Sequence, residues 1–435
     1  MFAIDLQIAA RNLAKHTKRN ALLGAAVAAV TALLVVLGGL AAGIKASMLE
    51  SATTLMTGHV NVGGFYKVTS GTSAPLVSDA DRVLAEARKH VPELDYVTVR
   101  GRGWAKAVSE TASMDLILAG MDIATEQGFR RVVQPVQGKL DDLAQPGTIL
   151  LFEDQAKRLA VRVGDALTLS APTARGMNNT ADVRVAVVAR SIGLLSAFSA
   201  FLPSDTLRDL YQLKPTTTGA IHLYLKDARA SSAVAARLRG ELAAAGWRVM
   251  DADPRPYWEK LMNKVNNEDW TGQKLDVTTW EDEMSFMSWV LTAVQWLTGI
   301  LITILLVIVV IGIMNTLAIA IRERTREIGT LRAIGMQRTK VLWLFVLEAA
   351  LLGLAGTAVG AVAGVAVAAG LNAARIAVPE SVQMFLMQQR LWLAVSPATV
   401  AAYAAGIAAV TTVAALYPAW HAAKLKPVTA MHHIG

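Results

Sequence analysis

Residues 321–336 read IRERTREIGTLRAIGM. Six charges fall in the eleven residues from Arg322 to Arg332, directly after an almost uninterrupted apolar run and a few residues before another. Read as a helix, the stretch sets Ile321, Ile328, Leu331 and Gly335 along one side, while Arg322, Glu323, Arg326 and Arg332 project largely elsewhere. Gly335 is placed to stop the helix. Such a stripe needs a cover, either the membrane surface or a partner protein. Mixed charges suit a specific protein contact better than they suit anionic lipid.

The flanking runs set the fold class. The 435 residues are 54% hydrophobic and only 17% charged, against about a quarter charged in an ordinary soluble domain. Four stretches reach the ~20 apolar residues that a bilayer requires. They are 21–44, 286–321, 341–371 with Glu348 as its one charge, and the Ala-rich 397–419. The first exceeds the ~7–15-residue core of a signal peptide and reads as a retained helix. The second exceeds one bilayer, so a helix over 284–321 projects as a stalk, with Trp289 and Trp296 near the interface; a break near Thr298–Gly299 is the alternative. The first span likewise continues through Lys45, giving a span and stalk over 21–56.

Charge orders these segments across the membrane. Residues 45–285 carry 28 basic against 29 acidic side chains. The chain's excess of +8 therefore sits in three short segments: Arg11, Lys15, Lys18 and Arg19 near the start, the loop 322–340, and Lys424 and Lys426 in the tail 421–435. The positive-inside rule puts all three in the cytoplasm and the large segment outside. Because the basic residues flank spans, membrane lipid and topology account for them and nucleic acid is not implied. Residues 1–20, with Phe2, Leu6, Ala9 and Leu13 on one face, read as an amphipathic helix, or else as a merely basic flank.

The segment 57–283 alternates strands and helices. GHVNV (58–62) and YVTV (96–99) read as strands around a helix over 78–90 capped by Ser78. AIHLYL (220–225) and WRVM (247–250) repeat the pattern around a helix over 231–246 closed by Gly246. The two β-α-β units are expected to pair in one α+β layer. Residues 103–215 form an inserted subdomain, mainly of strands: 115–119, 148–152, 166–169 and 183–189. The fold expected is therefore four transmembrane helices with stalks and a large α+β extracytoplasmic domain between the first two. A loop over 372–396 joins the third span to the fourth, taken as 397–420.

Chemistry is sparse. There is no cysteine, no Gly-rich phosphate loop followed by Lys-Ser/Thr, no H-E-x-x-H and no G-x-S-x-G. No catalytic residue and no metal site are expected, and the adjacent His432 and His433 read as a bland tail. An ionisable residue within a span is a functional candidate, and Glu348 is positioned to pair with a basic neighbour or a partner helix. Gly353, Gly356, Gly360 and Gly364 give the third span a small-residue face for close helix packing, within the chain or across a dimer.

MNTLAIAIRERTREIGTLRAIGMQRTKVLWLFVLEAALLGLAGTAVG (314–360) resembles the FtsX-like permeases of ABC systems, a superfamily that includes the lipoprotein-releasing, macrolide-exporter and cell-division permeases. The R-E-I-G-x-L-R-A-I-G core followed by an apolar run and Glu348 bears most of the likeness. IAARNLAKHTKRNALL (8–23), VTTWEDEMSF (277–286), YPAWHAAKLKPVTAM (417–431) and the Gly164-Asp165 stretch add to it, whereas 251–276, with Trp258 and Trp270, has no counterpart. The resemblance implies a multi-pass permease of the bacterial inner membrane, both termini cytoplasmic and its large domain periplasmic. It further implies a second permease, identical or not, and separate ABC ATPase subunits, two copies, that bind ATP and Mg; this chain binds no cofactor itself. An adaptor or carrier in the periplasm would be a further partner. Glu323, Arg326, Glu327, Ile328, Leu331, Arg332 and Gly335 would couple to the ATPase, whose movement the stalks would relay outward, a mechanism called mechanotransmission. The use expected is lipoprotein release or export; the alternatives are activation of an extracytoplasmic partner such as a wall hydrolase, or antibiotic or peptide efflux.

Overall fold

The computed structural model describes residues 2–15, 17–69, 72–173, 176–285, 288–379, 382–383 and 390–424. His432, His433 and Lys426 lie outside the described residues, as does Phe286. The chain opens on α1 (Phe2–Lys15) and continues in α2 (Thr17–Leu55), a helix of 39 residues. At 1.5 Å per residue α2 is almost ~60 Å long, about twice a bilayer's apolar core. It runs on past Lys45 because KASMLESATTL holds no glycine or proline; the first breaker is Gly58.

Two strand systems share one long strand in the domain that follows. In chain order its elements are β1 (Val60–Thr69), β2 (Thr72–Ala74), α3 (Ala80–Lys89), β3 (Leu94–Val108), β4 (Ser113–Met121), α4 (Gln127–Val132) and β5 (Pro135–Gln137). Then come β6 (Thr148–Phe152), α5 (Glu153–Leu159), β7 (Ala166–Pro172), β8 (Asn178–Ala189), α6 (Gly193–Phe198), β9 (Ser199–Pro203) and α7 (Ser204–Tyr211). The domain ends with β10 (Ala220–Leu225), α8 (Ser231–Ala244), α9 (Tyr257–Asn263), β11 (Gly272–Thr279) and α10 (Trp280–Glu283).

The first system is an antiparallel sheet in the order β11-β1-β10-β3. One face, with Val60, Val62, Ile221, Leu223 and Val277, packs against Val83 and Ala87 of α3 and Val234 and Leu238 of α8. The second runs β3-β4-β9-β6-β8 and is closed by β7, which pairs with both β8 and β3. Alternate residues such as Ala105, Leu116, Ile149, Leu167, Val185 and Ala200 fill its inside, and the short β5 remains as an edge on β8.

Three sequence expectations need correction. The boundary placed near 103 falls inside β3, whose ladder continues unbroken from the first system to the second. Ser78 does not cap α3: its backbone N–H and hydroxyl both meet Gln273, and the residue before the helix is Asp79 in a left-handed conformation. WRVM contributes only a bridge from Val249 to Leu275, and the edge beside β1 is taken by β11 instead.

After the domain come α11 (Ser288–Glu323), α12 (Thr325–Ala333), α13 (Arg338–Ala374) and α14 (Pro397–Ala423). The helix is unbroken at Thr298–Gly299, since a lone glycine costs a helix only about 1 kcal/mol. Among the described residues four helices (α2, α11, α13 and α14) are long and apolar enough to cross a membrane. The chain divides into two units: Met1–Ala46 with Leu291–Ala377 and Arg390–Gly435, and Ser47–Val290 with Val378–Gln389.

Candidate functional site

In the helical unit the charged stretch forms an elbow. α11 stops at Glu323, Arg324 leaves helical geometry for one residue, and α12 resumes. The backbone bonds of Arg324 to Ala320 and of Ile328 to Arg324 continue across the interruption. The Arg324 side chain is 9% exposed and its guanidinium lies 3.3 and 3.5 Å from the two carboxylate oxygens of Glu348 on α13. Gly335 ends the elbow at φ 106°, a conformation that costs any side chain, and the chain re-enters a helix at Arg338.

Ile321 and Ile328 pack on Val341, Phe345 and Val346 of α13 and on Ala419, Ala422 and Ala423 of α14. Two members of the stripe expected to need an outside cover, Ile321 and Ile328, are therefore covered by this chain's own helices. Arg332, expected to couple outward, is half-buried and donates from Nη1 to the carbonyl of Ala423 at 3.2 Å, where it answers an unpaired group at the end of α14. Exposed on the elbow are Arg322, Glu323, Arg326, Glu327, Thr330, Ala333, Ile334 and Gly335, and Ile334 is 81% exposed. Positions 323, 327, 330 and 334 follow helical spacing and make one face. The Leu331 side chain is not among those described. Sequence reasoning missed Arg324 as the partner of Glu348. Its spacing was the available signal: it stands three residues after Ile321 and four before Ile328, on the buried stripe.

Glycines set the packing of α13. A Cβ at Gly356 would lie 3.0 Å from the carbonyl oxygen of Gly24, at Gly360 2.6 Å from Thr31 Cβ, and at Gly364 2.8 Å from Val35 Cβ. These three meet α2, while Gly353 meets Thr411 of α14. The small-residue face is thus occupied inside the chain.

The domain holds a second group that the sequence did not announce. Opposite its helix-covered face, the first sheet presents Thr278, Asn61, His222 and Thr98, aligned across β11, β1, β10 and β3 and all buried. The C-terminal end of α2 meets this polar face. Arg100 donates from Nη2 to the carbonyl of Thr54 at 2.8 Å and from Nη1 to that of Leu55 at 3.0 Å, while Glu126 accepts from Nη2 at 2.6 Å and from Nε at 2.7 Å. Tyr224 donates to Thr53 O at 2.8 Å. The last carbonyls of the helix, which cannot bond within it, are thereby satisfied. Burial opposes the charge on Arg100, but the adjoining Glu126 outweighs it and raises the guanidinium pKa above its ordinary value. Burial, followed by the positive Arg100 and Arg102, holds His222 well below its usual 6.5. Beside them Arg102 lies 3.6 Å from Glu283 and stacks over Tyr257 at 4.0 Å.

A profile described as the FtsX-like permease C-terminal region matches residues 299–427, and one described as the MacB-like periplasmic core domain matches residues 22–241. The macrolide export ATP-binding/permease protein MacB of Syntrophobacter fumaroxidans is 25% identical over 426 residues, covering 87% of this chain and 55% of that protein. A protein of the same name from Chromobacterium violaceum is 28% identical over 184 residues, 42% of this chain and 27% of that one. The pyoverdine export ATP-binding/permease protein PvdT of Pseudomonas syringae is 34% identical over 121 residues, 28% of this chain and 16% of that protein. The chain thus spans about half the length of these relatives at most. Among solved structures, the periplasmic region of MacB from Actinobacillus actinomycetemcomitans aligns at TM-score 0.29 and 16% identity, over 46% of this chain and 88% of that one. One profile matches half the chain and the other covers the helices after the domain, so the chain belongs to the FtsX-like permease family, with a MacB-like periplasmic core domain between its first and second membrane helices.

Proposed function

We propose that this chain is the permease subunit of an ABC export complex and that its elbow docks on an ATPase outside these 435 residues. The observation that carries the reading is the exposed face of Glu323, Glu327, Thr330 and Ile334, set on an elbow anchored beneath by Arg324–Glu348 and Ile328. An exposed isoleucine among charges is the composition of a specific contact with a polar rim. The sequence offers no phosphate loop, so ATP and Mg belong to the partner. The positive-inside rule assigns the elbow and both termini to the cytoplasm. Closure of the ATPase would move the elbow, and the unbroken α2 and α11 would relay that movement toward the periplasmic domain, with a second permease completing the complex. Relatives named for macrolide and pyoverdine export favour export as the use; lipoprotein release rests on resemblance alone.

The test is co-purification from native membranes. Tagged wild-type chain should recover an ATPase, and Ile334→Asp with Glu327→Arg should reduce that recovery while leaving the chain's own yield intact. Equal recovery by the double variant would overturn the docking face. Arg332→Glu is unsuitable, because it would disturb the contact with Ala423.

A further inference from the structure

The periplasmic domain carries a half-open cavity of about 310 Å³. This falls at the lower end of the ~300–1,000 Å³ range of small-ligand pockets. Its walls are almost wholly apolar: Ile117 of β4, Leu194, Leu195 and Phe198 of α6, and Tyr257 and Trp258 of α9. Phe198, 48% exposed, stands at its rim. A smaller compartment of about 30 Å³ adjoins it and shares Met56, Ile117, Ser199 and Tyr257 as walls. At ~10–15 Å³ for each water-sized atom, that space takes about two, the size of a small two-oxygen head.

The small compartment is polar in a particular way. It is lined by Arg102 and His222. The Arg102 side chain is 8% exposed, and its Nη2 has no hydrogen-bond partner among the described residues. Both ring nitrogens of His222 are likewise buried and unpartnered. The nearest carboxylate, Glu283, stands 3.6 Å from Arg102 and is already bonded by the Thr278 hydroxyl and the Tyr257 N–H. Buried donors without acceptors cost about 1–3 kcal/mol each, and a molecule that supplies the acceptor recovers that cost. The α9 wall lies in the segment 251–276, outside both family profiles, while the other walls fall within residues 22–241.

We propose that the cavity binds a single-chain amphiphile, its apolar chain against Ile117, Leu195, Phe198 and Trp258 and its small oxygen-acceptor head, a carboxylate, on Arg102 Nη2 and His222. The neutral His222 ring, held so by burial and the two arginines, presents an N–H to such a head without adding charge. The inference goes beyond the docking reading and is independent of it, since binding here needs neither nucleotide nor ATPase.

The test uses the full chain in lipid nanodiscs and a long-chain fatty acid bearing a diazirine. After irradiation and proteolysis, labels are expected on the peptides that carry Ile117, Phe198 or Trp258. Unlabelled dodecanoate should suppress them, and dodecyltrimethylammonium of equal chain length should do so about tenfold less well. Ile117→Trp, which fills the cavity, should abolish these labels and leave those on α11 and α13 unchanged. Trp258→Ala, which removes a wall at a half-buried position, should weaken them and serves if the first variant does not fold. Labels confined to the membrane helices, labels indifferent to both variants, or equal competition by the cationic amphiphile would overturn the proposal.

Discussion

Removing Glu348 strands the Arg324 charge out of water, whereas replacing both by apolar residues leaves no charge there. A buried ion pair broken on one side costs about 3–5 kcal/mol, and its replacement by two apolar residues is often neutral. Glu348→Met should therefore lower thermal stability in nanodiscs more than Arg324→Met with Glu348→Met does; equal losses would show that the pair is not coupled. Arg100 follows the same rule in the periplasmic domain, where Arg100→Met strands Glu126 and releases two helix-end carbonyls. His222 gives a pH signature. Its folded pKa lies below the unfolded 6.5, so the unfolded chain takes up the proton first and stability falls as pH drops below 6.5. The loss is up to about 1.4 kcal/mol per pH unit until the folded pKa is reached. His222→Gln should remove that part of the slope between pH 7 and 5, leaving the smaller part due to His59, which burial also lowers. An unchanged slope would mean that His222 is not held neutral. Glu348 was visible in the sequence as the one charge in an apolar run. Arg324 and Arg100 were not, because each stands among other polar residues and only the fold decides which of them is buried; His222 stands alone in the apolar run AIHLYL, and only the sheet shows that its face meets Arg100 and Arg102.

Elements show the same division between local and distant causes. The length of α2 and of α11 was legible because helix continuity is local: no strong breaker interrupts either run. The extent of β3 was not, because its middle reads RGRGW, a poor strand pattern. Its glycines have a distant reason. A Cβ at Gly103 would lie 2.6 Å from the Tyr211 ring of α7, and Tyr211 accepts a bond from the Trp104 N–H at 2.7 Å. Gly103→Val should thus expel α7 and destabilise the closed strand system by about 1–3 kcal/mol, the usual cost of overpacking, measurable as a lower unfolding midpoint. In the membrane helices Gly360→Leu should separate α13 from α2, where even a Cβ meets Ala28 and Thr31. The readout is a cysteine pair across these two helices, which should crosslink in the parent chain and not in the variant. Persistent crosslinking would show that the glycine face does not set their approach.

At the scale of the molecule, the sequence was readable where composition changes sharply: apolar runs, basic flanks and a balanced domain between them. It was not readable where a stripe is answered by the same chain. Ile321 and Ile328 looked like a surface awaiting a partner, yet α13 and α14 cover them, and the face left open is Glu323, Glu327, Thr330 and Ile334. The central claim is that an ATPase covers this open face. The direct measurement is site-specific photocrosslinking in cells, with a photoreactive residue at Ile334 and, as an internal control, at Ile328. The account predicts a crosslink from position 334 to a nucleotide-binding protein and none from position 328. A crosslink from 328 instead, or from 334 to lipid alone, would contradict it.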